Sequence, residues 1–152
     1  MRAEDLGVGV FVILGAVVGL IIGIIVLVFY LLTLKKALDR CDISSRTMSP
    51  GQVFLMFIPL FNIIWHFFIV NHMSNSLHNE FTRRNIAGVE PTPGKTLGLA
   101  MCILQVCSII PIVGIFTGIA GFICWIMYWV KINGYANQLQ PGFAGQQYSV
   151  QS

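Results

Sequence analysis

Charge is missing from most of this chain. Leu6 to Leu34, Thr47 to Asn79 and Thr96 to Val130 each contain no Asp, Glu, Lys or Arg. An uncharged apolar stretch of ~18 residues or more is long enough to cross a bilayer, and three of them leave little chain for a soluble domain. Only 10% of the 152 residues are charged and 56% are hydrophobic, where a soluble domain runs near ~25% charged. Catalytic signatures are missing too. There is no GxSxG, no pair of carboxylates set for acid–base work and no Ser/His/Asp arrangement, so the expectation is a protein that is not an enzyme. No CxxC pair occurs among Cys41, Cys102, Cys107 and Cys124, which removes the redox and structural-zinc signatures. No Asn-x-Ser/Thr sequon marks an extracellular loop. The net charge of +3 is small, and no basic tract calls for nucleic acid.

What is present predicts an all-α, polytopic helical membrane protein in a single domain, 1–139, with a disordered Gln/Gly-rich tail at 140–152. The first apolar stretch, about 8–34, is read as an uncleaved span. Glu4 and Asp5 spoil a basic n-region, and the run exceeds the ~7–15 residues of a signal-peptide core. Lys35 and Lys36 anchor its end. Gly15, Gly19 and Gly23 recur every four residues and so share one face, where a neighbouring backbone can approach closely.

After a polar link, Ser49-Pro50-Gly51 reads as a helix start with proline at the first position. Segment 50–71 is interrupted at Pro59, where a helix loses a hydrogen bond. Residues 72–87 read as a polar helix with an apolar stripe of Met73, Leu77 and Phe81. The third uncharged stretch is too long for one span and divides into spans 95–110 and 114–131 around a turn at Pro111. Gly114 and Gly118 allow close packing there. Trp125, Tyr128, Trp129 and Lys131, with Trp65 earlier in the chain, read as interfacial anchors. Gly88 to Thr96 is no phosphate-binding loop: five residues separate its glycines and two prolines remove amide donors.

Two blocks share an order of features: Ser49-Pro50-Gly51, Ile58-Pro59, Trp65 and Asn75-Ser76-Leu77 against Thr92-Pro93-Gly94, Ile110-Pro111, Trp125 to Trp129 and Asn137-Gln138-Leu139. Each leg of the second is longer by roughly 14–15 Å of helix. The second block would then cross the bilayer and return, while the first dips in and returns. The positive-inside rule agrees. A re-entrant first block with the N-terminus outside puts Lys35, Lys36, Arg40, Arg46, Arg83, Arg84, Lys95 and Lys131 inside and leaves only Arg2 outside. A spanning segment two strands half of them outside. The expected topology is therefore three transmembrane helices plus one Pro-broken re-entrant hairpin, with four transmembrane helices as the alternative.

The run Met48-Ser49-Pro50-Gly51 followed by Phe57-Ile58-Pro59-Leu60-Phe61-Asn62-Ile63-Ile64-Trp65, with the exit Tyr128-Trp129-Val130-Lys131-Ile132, resembles a large group of uncharacterised bacterial multi-pass membrane proteins. Their mark is an I-P-x-x-N-x-x-W core segment. The resemblance covers about half of the chain. It implies a bacterial cytoplasmic (inner) membrane location and transfers no activity.

The polar groups expected at depth are Asn62, His66, Gln105, Ser108 and Thr117. Asn62 and His66 share a helix face at i, i+4. An intramembrane histidine is able to carry a proton or ligate a pigment or haem; the plainer reading is interhelical hydrogen bonding, ~1 kcal/mol per pair. His66, His72 and His78 point about 120° apart around a helix, so no metal site and no cofactor is expected. The expected function is a small structural or accessory subunit of a larger membrane assembly, with a self-assembling channel or small-solute transporter as the alternative and a membrane-shaping or lipid-binding protein as a further one. The expected partners are the lipid bilayer and other membrane subunits or copies of the chain.

Overall fold

The computed structural model describes residues 3–58 and 60–140, with side chains from residue 7 onward. Arg2, the expected turn residue Pro59 and the tail from 141 lie outside the described residues. Among the described residues every element is helical: α1 (Ala3–Asp39), a 3-10 helix (Pro50–Phe57), α2 (Phe61–Arg83), α3 (Lys95–Cys107) and α4 (Pro111–Gln138). Two of these, Gly7–Asp39 of α1 and Pro111–Gln138 of α4, are long and apolar enough to cross a membrane. At 13 residues α3 is apolar but short, about 20 Å at helical rise.

The chain divides into two compact units, one ending at Leu32 and the other beginning at Thr33. The first is the apolar body of α1. From Val8 to Ile25 its large apolar side chains are exposed, Phe11, Ile13, Leu20 and Ile22 among them. A methyl group added at Gly15, Gly19 or Gly23 meets no atom within 4 Å among the described residues.

In the second unit the last turns of α1 lead into a polar link. Arg46 closes that helix end, its Nε donating to the Cys41 carbonyl and its Nη2 to the Asp39 carbonyl, both at 2.9 Å. These are C-terminal carbonyls without helical partners. Asp42 then accepts from the Ser44 amide and hydroxyl, turning the chain.

Segment 50–57 begins at the expected cap, where the Ser49 amide donates to Gln52 Oε1 at 3.1 Å. It winds as a 3-10 helix and not as the first turns of an α-helix. At three residues per turn, side chains at i and i+3 eclipse. Phe54 and Phe57 use this alignment, stacking with ring planes 2° apart. Trp65 fastens the piece to α2 by donating to the Gln52 carbonyl at 2.9 Å. The turn that follows carries Leu60 at φ 67°, a left-handed conformation costly for a residue with a Cβ.

The second half of segment 50–71 and the predicted polar helix 72–87 are continuous in one element, α2, which ends at Arg83 and not at 87. One face carries a row of stacked rings, Phe61, Trp65, Phe68 and His72. The other buries Ile69, Val70, Met73, Leu77 and Phe81, so the expected stripe of Met73, Leu77 and Phe81 faces the core.

Helices α3 and α4 form an antiparallel hairpin whose register is written in glycines. Added Cβ atoms at Gly94 and Gly98 would meet Tyr128; one at Gly121 would lie 3.3 Å from Leu104 Cβ, and one at Gly118 3.9 Å from Ser108 Cβ. A Cβ at Gly114 would collide with the Ser108 carbonyl. Gly98 is the tightest helix–helix contact: its Cβ would sit 2.6 Å from Val70 Cγ1 and 2.8 Å from Tyr128 Cε2. Its missing side chain lets α2, α3 and α4 meet.

The core lies where these helices have their polar ends. Leu34, Leu38, Met73, Leu77, Met101, Ile132 and Leu139 are fully or almost fully buried there. The apolar turns are bare instead: Ile58 and Leu60 in one, Ile109, Ile112, Ile115 and Phe116 in the other.

Candidate functional site

The polar end of the second unit is built around one carboxylate. Glu80 is fully buried on α2, a position that an acid tolerates only when paired. Arg83 Nη2 and Arg84 Nε, at i+3 and i+4, each donate to its Oε1 at 2.6 Å. The Asp42 amide donates to Oε2 at 2.9 Å. Burial alone would push this carboxyl up. Hydrogen bonds from Arg83, the Asp42 backbone, Ser45 and Arg84 overcome that and hold it at about 2.

Arg84 carries the network outward. Its Nη2 donates to the Arg40 carbonyl at 3.0 Å and its Nη1 to the Leu139 carbonyl at 3.1 Å. One guanidinium, itself bound to Glu80, thus ties the chain after α1 to the end of α4, using the planar fork that distinguishes arginine from lysine. Arg40 Nη1 donates to the Ala136 carbonyl and to Asn137 Oδ1. The link packs on α2 through neutral bonds: the Thr47 amide to Ser76 Oγ, Thr47 Oγ1 to the His72 carbonyl and Asn79 Nδ2 to the Ser45 carbonyl. Cys41 lies in this knot, 1% exposed. Burial, with Glu80 nearby, pushes its thiol up to about 12, which makes it a packing group.

A second carboxylate organises the loop before α3. Glu90 Oε1 accepts from Lys131 Nζ at 2.7 Å, the Tyr135 hydroxyl at 2.7 Å and the Gly94 amide at 2.6 Å. Lys131, foremost, holds this carboxyl at about 2 against the opposing effect of burial, with help from Gly94 and Tyr135. An open cleft lies beside it, lined in part by His78, Phe81, Asn85 and Glu90.

The residues expected at depth are arranged differently. His66 is buried and its side chain hydrogen-bonds Gln105, joining α2 to α3. The Ser108 hydroxyl donates to the Gln105 carbonyl at 2.7 Å, and Thr117 Oγ1 to the Val113 carbonyl at 3.1 Å. Both hydroxyls thus serve their own backbone, as serine and threonine often do in helices. Asn62 is half-buried one turn before His66. Of the expected anchors, Trp129 donates to Thr33 Oγ1 at 2.8 Å, Trp125 packs its ring on Phe122 and Trp129, and Trp65 and Lys131 make the contacts given above. Tyr128 is 1% exposed. It points inward and not to an interface, because Gly94 and Gly98 open the space its ring fills.

Reading by sequence missed Glu80, Arg40, Arg84, Glu90 and Gly98. The pattern Glu80-x-x-Arg83-Arg84 was the available signal, since i+3 and i+4 partners share a helix face. Nothing local marks Gly98. The chain matches no protein-family model, no curated protein and no solved structure.

Proposed function

We propose that the chain is a multi-pass subunit of a bacterial inner-membrane assembly, with a structural role and no catalysis of its own. The observation that carries this reading is the inversion of polarity in the second unit. Its charged end is cross-linked around the buried Glu80, while its apolar turns and the outer faces of α4 are bare. Water makes such a surface costly, at about 25 cal/mol per Å² of apolar area, and lipid does not.

The same geometry supports a re-entrant first hairpin. The bonds from Arg84 to the Arg40 carbonyl and from Asp42 to Glu80 join the chain before the 3-10 helix to the end of α2, so this segment leaves and returns at one end. From Phe61 to His72 it reaches roughly 16 Å, about half of a hydrocarbon core of ~30 Å. From Pro111 to Lys131, α4 reaches roughly 30 Å, a full crossing. With α1 and the α3–α4 hairpin crossing, the N-terminus lies outside and the basic residues inside. Labelling of Asn85→Cys in sealed inverted and right-side-out vesicles tests the topology. Reaction only from the cytoplasmic face is expected; reaction only from the outer face overturns the re-entrant model.

A structural role is favoured over a channel because four of the five polar groups at depth are engaged within the chain: His66 with Gln105, Ser108 and Thr117 with backbone carbonyls. The open glycine face at Gly15, Gly19 and Gly23 has room for another helix. Native mass spectrometry of the protein drawn from its own membranes in mild detergent should show different subunits in fixed stoichiometry, reduced in Gly19→Leu. A homo-oligomer alone overturns the accessory-subunit reading.

A further inference from the structure

The cations at the polar end of the second unit are unevenly matched. Lys35 pairs with Asp39, Arg83 and Arg84 with Glu80, and Lys131 with Glu90. Arg46 is engaged on the carbonyls that end α1. Lys36 and Arg40 are different. Among the described residues neither forms an ion pair with a carboxylate, and nor does Lys95 at the start of α3. Lys36 and Arg40 stand one helical turn apart and converge on a neutral group of α4: Lys36 Nζ lies 3.4 Å and Arg40 Nη1 3.2 Å from Asn137 Oδ1. Gln140 Nε2 reaches the same oxygen at 3.5 Å. Three donors, two of them cationic, share one amide oxygen. An anionic oxygen in their place would accept charge-assisted hydrogen bonds, roughly twice as strong as neutral ones.

Depth identifies the kind of anion. Along α4, Ile126, Met127 and Val130 are exposed apolar residues. The Trp129 indole is held at Thr33 Oγ1 on the same level, a setting that suits tryptophan at a membrane interface. Asn137 follows Val130 by seven residues, roughly 10 Å of helix. A headgroup layer begins where the hydrocarbon ends and is ~5–8 Å thick on each side, so the cation pair stands at its outer edge, within the length of a Lys or Arg stem of the headgroup phosphates.

We propose that Lys36, Arg40 and Asn137 form a binding site for the phosphodiester of an anionic phospholipid headgroup, between the C-terminal ends of α1 and α4. This rests on the membrane reading above. The site takes one phosphate oxygen on the guanidinium and a second on the ammonium, while Asn137 swings its amide to donate.

The test uses the full chain in nanodiscs of phosphatidylcholine doped with phosphatidylglycerol, followed by release into detergent and native mass spectrometry of the retained lipid. Wild type should retain phosphatidylglycerol in about tenfold excess over its share of the disc, the excess expected of paired charge-assisted bonds. K36Q/R40Q should lose that excess, and the charge-matched control K35Q/K95Q should keep it. Because Arg40 also caps α4, Lys36→Gln alone provides an independent reading, with a loss of about threefold expected. Equal loss in the control would reduce the effect to net charge and overturn the site. Displacement of the lipid by inorganic phosphate at ionic strength matched with chloride would assign the pocket to free anions and overturn the headgroup assignment. Failure to enter phosphatidylcholine discs at all would instead strike the membrane reading.

Discussion

The two apolar hairpins of the second unit solve one problem with different materials. The first, Pro50 to Arg83, is short and asymmetric: a 3-10 helix stacked on its own phenylalanines, a left-handed Leu60, then α2. Its legs are joined by side chains, as in the bond from Trp65 to the Gln52 carbonyl. The second, Lys95 to Gln138, is joined by their absence, with Gly98, Gly114, Gly118 and Gly121 setting the distance between α3 and α4. An apolar hairpin has few directional bonds to fix its register, so it relies either on an indole reaching a carbonyl or on backbones close enough to interlock. Both hairpins end in a bare apolar turn and both return to the charged knot around Glu80.

The largest effect should come from that shared knot. Glu80→Gln keeps the shape and removes the charge, leaving two guanidiniums facing a neutral amide. A loss of about 3 kcal/mol is expected, in the range for breaking a buried ion pair. Arg83→Gln, on a side chain 47% exposed, should cost under about 1 kcal/mol. Reversible denaturation in mixed micelles measures both. Because the Glu80 carboxyl is held below its ordinary value, its contribution is complete above the unfolded value of 4.5 and declines as pH falls toward about 2. Wild-type stability should fall through that window, and Glu80→Gln should flatten the fall. An unchanged pH profile in the variant would remove Glu80 as the hub.

A methyl group separates the hairpins more sharply. Gly98→Ala forces a contact on Val70 and Tyr128 and should cost about 1–3 kcal/mol. Gly51→Ala in the first hairpin meets nothing within 4 Å and should be almost neutral; equal costs would mean that glycine packing does not distinguish the two. Leu60→Gly should go the other way, stabilising the first turn by about 1 kcal/mol, because Leu60 holds φ 67° and is 85% exposed. A loss of stability there would show that its side chain contributes more than its backbone strain costs. The smallest effect belongs to Lys131→Gln: its partner Glu90 keeps Tyr135 and Gly94, and a half-exposed pair is worth under about 1 kcal/mol.

Much of the secondary structure was legible because it is written in composition and punctuation. Uncharged stretches located α1 and the α3–α4 hairpin, Pro50 marked an element start, Pro111, expected in the turn before a span at 114, instead opens α4, and Met73, Leu77 and Phe81 marked the buried face of α2. The 3-10 winding was not legible, since Phe54 and Phe57 satisfy either helix type until their rings stack. Tyr128 was misread because an aromatic near Lys131 looks like an anchor, and only the space opened by Gly94 and Gly98 turns it inward. Ser108 and Thr117 looked free to line a path, and their acceptors proved to be carbonyls of their own chain.

The sequence by itself determined that these are apolar helices with one basic end, because charge and hydropathy are properties of residues and need no partner. Which carboxylate would be buried, which cations it would neutralise and which glycine would admit three helices were decided by tertiary structure. Those are properties of distance, and residues as far apart as Arg40 and Ala136, or Val70 and Gly98, acquire one only when the chain returns to the same end.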